Sequence, residues 1–251
     1  MDWTFEHAMI VRRFGSGAPM VWIHGLGEWS ASFDACAPLI DGFTHVLPDL
    51  PGSGRSPWPA APRSLDESAD DLASWLREQP PAILVGHSQG GVLATLIAER
   101  IAVRGIVNID GNLTRGDCSF SLRALAYEPA AFVEHGFAKL LAEVYELGLT
   151  DPALRGYFAA LRTTSPAVFH RHARELVALS ETETLAPRLA ALTVPVLVLA
   201  GVPRGICEHS RRELDRLGVR WRGVEPAGHW LFVDQPAAFA AAVASFAHGI
   251  G

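Results

Sequence analysis

The sequence predicts an α/β fold: a doubly wound, mostly parallel sheet interrupted by an inserted helical segment. Three observations lead there. Short apolar runs alternate with longer helical patterns, as they do when parallel strands are joined by crossover helices. Five of those runs are apolar throughout, the pattern of strands buried on both faces. Between residues 112 and 187 the alternation stops, leaving short helical patterns punctuated by Gly and Pro.

Taken in order, Thr4 to Phe14 alternates polar and apolar residues and fits an antiparallel edge hairpin. The apolar runs Met20–His24 and His45–Pro48 are the first two core strands. Ser64-Leu65-Asp66-Glu67 is a capping box, with a serine to cap and a glutamate three residues on. Leu65, Ala69, Leu72 and Leu76 then follow helical spacing, and Pro80-Pro81 ends the helix. Ala82–Gly86 and Gly105–Ile109 are the next strands, separated by the helical pattern that begins after Ser88. Beyond the insertion come the strands Pro195–Ala200 and Val219–Val224. In a final helix, Phe239, Val243 and Phe246 share one face, Asp234 is positioned as its cap and Gly249 as its stop.

The composition excludes several classes. Apolar residues make up 49% of the 251, enough for a large core and far from a disordered chain. The formal charge is −6, and the basic residues, arginine apart from Lys139, form no cluster; nucleic acid is not an expected partner. Cys36, Cys118 and Cys207 are scattered with no C-x-x-C pair, which argues against a disulfide scaffold or zinc ribbon. The N-terminal residues have no signal-peptide core, and the longest apolar run, Val194 to Val202, is far too short to span a membrane. A cytoplasmic protein without membrane partners is therefore expected, and its oligomeric state is unreadable. No H-E-x-x-H or comparable ligand spacing exists among the ten histidines, so neither metal nor cofactor is expected.

The most informative segment is Gly86-His87-Ser88-Gln89-Gly90, a G-x-S-x-G sequence with an apolar strand before it and a helical pattern after it. A serine at such a tight strand-to-helix turn sits in a strained backbone with its Oγ pushed out of the sheet. Glycines two residues before and after remove the Cβ atoms that would clash. The helix start beneath the serine offers N–H groups and a positive dipole end, both suited to a developing oxyanion.

With this elbow, three further segments resemble the α/β-hydrolase superfamily: VWIHGLGEWSASF (21–33) its His-Gly loop, DLPGSGRSPWP (49–59) its D-x-P-G-x-G-x-S segment, and PAGHWLFVDQP (226–236) its catalytic-histidine loop. The resemblance covers nearly the whole chain. It implies an eight-stranded sheet, with a hydrolase core at 1–111 and 188–251 and a helical cap at 112–187. It also implies a Ser–His–acid triad.

His229 is the expected base. It lies between the last strand and last helix, in a loop that reaches the sheet edge where the elbow sits. By resemblance, the backbone N–H groups of Leu26 and Gln89 form the oxyanion hole. The family usually places its acid after the strand Pro195–Ala200, but no Asp follows there in the first turn, and Glu208 comes late. Some members carry the acid after the preceding strand, which here ends in Asp110-Gly111. Asp110 is therefore preferred as the acid and Glu208 kept as the alternative. Asp49 is expected to organise the Pro51–Gly54 turn.

Glu28, Trp29, Phe33 and Trp230 are possible pocket residues, with loop packing as the competing reading for the first three. Phe120, Tyr127, Phe132, Phe137, Tyr145, Tyr157 and Phe169 could roof the serine or simply pack the cap. The expected reaction is acyl transfer to water through an acyl-serine, on a small or medium apolar ester, lactone or thioester. The same residues also allow a cofactor-independent oxygenase or lyase that uses the His–Asp pair as base, or a low-turnover ligand-binding protein.

Overall fold

The computed structural model describes residues 2–250. An eight-stranded sheet runs in the order β1-β2-β4-β3-β5-β6-β7-β8. Its strands are β1 (Asp2–Glu6), β2 (Met9–Gly15), β3 (Ala18–Ile23), β4 (Phe43–Asp49), β5 (Ile83–His87), β6 (Gly105–Ile109), β7 (Val196–Arg204) and β8 (Trp221–Gly228). β1 pairs antiparallel with β2, and β2 with β4. Every other pairing is parallel. The expected hairpin and doubly wound sheet are both present.

Alternation along the central strands divides the core in two. Trp22, Ile83, Val85, Val107 and Leu199 face one layer. Val21, Ile23, Leu84, Ile106 and Val198 face the other. Both sets are apolar because helices cover both faces, so the strands read as continuous hydrophobic runs. The second face carries α1 (Leu65–Arg77), α2 (Gln89–Ala98), α8 (Leu185–Ala190) and α9 (Glu208–Leu217). The first carries α10 (Leu231–Asp234) and α11 (Pro236–Gly249). Between β6 and β7 the chain is helical: α3 (Ser119–Ala124), α4 (Pro129–Ala131), a π-helical turn at Phe132–Gly136, α5 (Phe137–Gly148), α6 (Pro152–Leu161), α7 (Pro166–Glu181) and then α8. Apolar residues of this segment, among them Phe132, Leu140, Tyr157 and Phe169, are continuous with the α11 layer. Among the described residues, no helix is long and apolar enough to cross a membrane.

Local chemistry explains where the elements stop. α1 opens on a complete capping box: Glu67 N–H donates to Ser64 Oγ at 3.0 Å, and Ser64 N–H donates to Glu67 Oε2 at 2.7 Å. α9 ends at Gly218, which has φ +68°. Val219 N–H then bonds back to the Leu214 carbonyl at 3.0 Å. That stop uses up Val219, so β8 begins at Trp221, two residues later than the apolar run suggests. The expectation for Asp234 is corrected. α11 starts at Pro236 without a side-chain cap, and Asp234 Oδ2 instead accepts the Gly228 N–H at 2.7 Å, closing the loop after β8.

Ser64→Ala removes one partner of the capping box. It should cost about 1 kcal/mol, or roughly 2–4 °C of Tm in a chain of this size. Thermal denaturation followed by circular dichroism would show this.

Candidate active site

Ser88 sits in the turn between β5 and α2 with φ 52° and ψ −120°, a strained conformation for a residue with a side chain. Its N–H continues the ladder to the Ile109 carbonyl at 2.8 Å, so the sheet holds the serine before the chain turns. The flanking glycines are required by contact. A Cβ on Gly86 would lie 2.2 Å from the Gly90 carbonyl oxygen, and one on Gly90 would lie 2.0 Å from that of Ile23. Gln89 is the first residue of α2, where backbone N–H groups have no partner within the helix. Leu26 lies on the neighbouring loop after β3 and lines the same cleft as Ser88.

Asp110 repeats the geometry one strand over. It has φ 43°, and its N–H bonds the Leu199 carbonyl at 2.9 Å. The side chain is fully buried. Ile206 N–H donates to Oδ1 at 2.9 Å, and Gly201 N–H approaches both carboxylate oxygens at 3.3 Å. β7 and the turn after it, where an acid is missing, thus supply the donors that hold an acid arriving from β6. Gly205 is part of this cradle, since a Cβ there would lie 2.5 Å from both Asp110 oxygens.

His229 Nδ1 lies 3.7 Å from Asp110 Oδ2, an ion-pair contact rather than a hydrogen bond. Burial pulls the imidazole pKa down. The Asp110 carboxylate, helped by Glu28 and Asp117, outweighs it and holds His229 above its ordinary value. Glu208 is placed elsewhere: it begins α9, is exposed and pairs with Arg212 at 2.7 Å.

The Ser88 hydroxyl donates to Asn112 Oδ1 at 3.2 Å. The Asn112 amide is oriented by its own Nδ2, which donates to the Asp117 carbonyl at 2.9 Å. Asn112 was missed in the sequence because an Asn after a strand reads as a turn residue.

The other pocket residues divide. Glu28 and Trp230 line the cleft, together with Phe120 and Tyr157 from the helical segment. Phe33 is core, packed between Trp22 and Phe232 at ring distances of 5.1 Å. Trp29 lies under the Arg55 guanidinium. Phe132, Phe137 and Phe169 pack on one another in the core, and Tyr145 is exposed. Tyr127 lies against Phe132. The cleft opens to solvent.

Glu28 is buried, yet its carboxylate is well served. Trp230 Nε1 donates to Oε1 at 2.6 Å, and Gly25 N–H donates to Oε2 at 3.0 Å. His87 Nδ1 lies 2.9 Å from Oε1. Burial alone would push its pKa up, but His87 and these donors bring it down to about 2. Asp49 is also buried and accepts the N–H groups of Ser30 and Arg55 at 2.7 and 2.9 Å, the turn-organising role expected of it. His170 and His172 are each engaged by a backbone carbonyl, those of Tyr127 and Arg63.

Gly205→Ala puts a methyl group where the Asp110 carboxylate sits. The acid should be displaced and the His229 pKa should fall, which an NMR titration of the imidazole would detect.

The model of the alpha/beta hydrolase family matches residues 20–242. A 2-succinyl-6-hydroxy-2,4-cyclohexadiene-1-carboxylate synthase from Serratia proteamaculans is 27% identical over 243 residues, covering 90% of this chain and 92% of its own. Lipase LipV from Mycobacterium tuberculosis is 38% identical over 92 residues, about a third of each chain (35% and 35%). A thermophilic esterase from Thermogutta terrifontis, solved with malate bound, superposes with a TM-score of 0.78 at 20% identity, covering 96% of this chain and 93% of its own. The family model spans Ser88, Asp110 and His229, and the chain belongs to the alpha/beta hydrolase family of enzymes.

Proposed function

We propose that the protein is a serine hydrolase that cleaves a small or medium apolar ester, lactone or thioester through an acyl-serine intermediate. The observation that carries this reading is the convergence of Ser88, in its strained turn, with His229 and the buried Asp110 at one edge of the sheet. His229 takes the Ser88 proton as Oγ attacks the acyl carbon, and returns it to the leaving alcohol or thiol. Asp110 faces Nδ1 across the 3.7 Å ion-pair contact, favouring the Nδ1–H tautomer and stabilising the imidazolium. The N–H groups of Gln89 and Leu26 receive the oxyanion of the tetrahedral intermediate. Water, activated by His229, then releases the acid and restores Ser88.

Residues 112–187 act as a cap in this reading. Phe120 and Tyr157 close one wall of the cleft against Trp230, at ring distances of 6.1 and 5.1 Å.

One observation supports a second reading. With the Ser88 hydroxyl turned to Asn112, His229 is free to take a proton directly from a substrate, as an oxygenase or lyase base would. Ser88→Ala separates the two. As an acyl-serine enzyme the variant should lose turnover of p-nitrophenyl esters by about 10³-fold or more and lose labelling by a fluorophosphonate probe. Full turnover would rule the covalent route out.

Only neutral His229 can accept the proton. Because its pKa is raised, kcat/KM should rise with pH along a limb centred above the ordinary imidazole value of about 6.5. Asp110→Asn should cost several orders of magnitude in kcat, about 10⁴-fold. Glu208→Gln should leave kcat near wild type. Steady-state kinetics of the two variants across pH would reverse the assignment if the losses were exchanged.

A further inference from the structure

The catalytic scheme leaves one buried carboxylate–imidazole pair unused. Glu28 and His87 are 2% and 0% exposed, and they stand between the three backbone segments that the reaction needs in register. Glu28 takes the Gly25 N–H of the oxyanion loop on one oxygen and the Trp230 indole N–H of the histidine loop on the other. His87, adjacent to the nucleophile, meets Glu28 through Nδ1 at 2.9 Å. Its Nε2 faces the main-chain carbonyl of His229 at 3.0 Å. A carbonyl oxygen only accepts, so Nε2 carries the proton and donates. Every link in this chain ends on a catalytic loop, and the two imidazole rings pack at 4.5 Å.

We infer that Glu28 and His87 are a positioning pair that fixes His229 relative to Ser88 and the oxyanion loop. This rests on the reading of Ser88 as nucleophile and His229 as base. Neither residue touches the reacting atoms in this scheme. Their work is to hold the His229 main chain from one side while Asp110 holds its ring from the other. A buried carboxylate and imidazole are costly to place in a core and gain nothing from mere packing, since an apolar pair of the same shape fills the space without desolvation cost. The pair is justified by where its contacts lead: Glu28 to Gly25 and Trp230, and His87 to the His229 carbonyl.

The test uses the full-length protein with p-nitrophenyl acetate as substrate. Glu28→Gln and His87→Leu should each lower kcat by about tenfold to a hundredfold while KM stays within about twofold, because a displaced base slows chemistry more than binding. His87→Gln keeps an N–H to offer the His229 carbonyl and should recover most of the loss seen in His87→Leu. The double variant Glu28→Gln/His87→Leu should cost no more than about the worse single variant, since both break one chain of contacts. Wild-type kcat in both single variants, a loss carried by KM, or His87→Gln as impaired as His87→Leu would overturn the inference. If Glu28→Gln does not fold, the two His87 variants decide alone.

Hydrogen exchange of the 228–231 amides reads the positioning without turnover. Protection should fall in Glu28→Gln and His87→Leu, and unchanged protection overturns the pair's role. Fluorophosphonate labelling of wild-type Ser88 keeps the two ideas apart. If wild type is not labelled, the nucleophile reading fails while exchange still judges the pair. If it is labelled and the variants are unimpaired, only the pair fails.

Discussion

The site depends on one constraint: two adjacent strands each hand a polar residue across the sheet edge in a left-handed backbone conformation. Ser88 follows β5 with φ 52°, and Asp110 follows β6 with φ 43°. Each costs of order 1–3 kcal/mol for a residue with a Cβ. Each is also the last rung of the parallel ladder, with its N–H still bonded to the next strand at 2.8 and 2.9 Å. The ladder bond fixes where the residue leaves the sheet, and the positive φ turns its side chain abruptly upward. Two neighbouring strands doing this side by side bring Ser88 and Asp110 to one edge of the sheet. The rest of the site is arranged around them.

Charge at Asp110 is handled by backbone. Its buried carboxylate takes the main-chain N–H groups of Gly201 and Ile206, while the buried Glu28 carboxylate takes one from Gly25 of its own loop. Such donors are preorganised and do not titrate, so they stabilise negative charge at fixed positions. His229 lies among these acids and is held above its ordinary pKa despite burial. The site as a whole favours an imidazolium, the form that His229 takes once it has accepted a proton.

Much of this was legible in the sequence, for reasons particular to each residue. Ser88 was readable because its turn requires glycine at 86 and 90, where backbone oxygens lie closer than any Cβ tolerates. His229 was readable from the strand before it and the helix after it. Asp110 is preferred to Glu208 because no Asp follows the strand Pro195–Ala200 in the first turn and some members of the resembled family carry the acid after the preceding strand. The reason for its position is a set of N–H donors from residues 201 and 206, and backbone donors leave no mark in a sequence. The same silence hides the partner of Asp234, which reads as a helix cap and in fact takes the Gly228 N–H. Phe33 and Glu28 lie five residues apart on one loop, and nothing in their spacing tells which is core and which lines the cleft. That depends on Gly25, His87 and Trp230, the last of them some two hundred residues distant.

The Gly205 cradle has an evolutionary consequence. A side chain at position 205 would begin in the space that the Asp110 carboxylate fills. One anionic pocket beneath His229 can therefore be reached from two strands, and only one can fill it at a time. In this chain position 205, just after β7, is glycine, and residues 201 and 206 contribute only amides there. A lineage could move its acid from one strand to the other through a pair of substitutions while the histidine, the serine and the sheet stayed where they were.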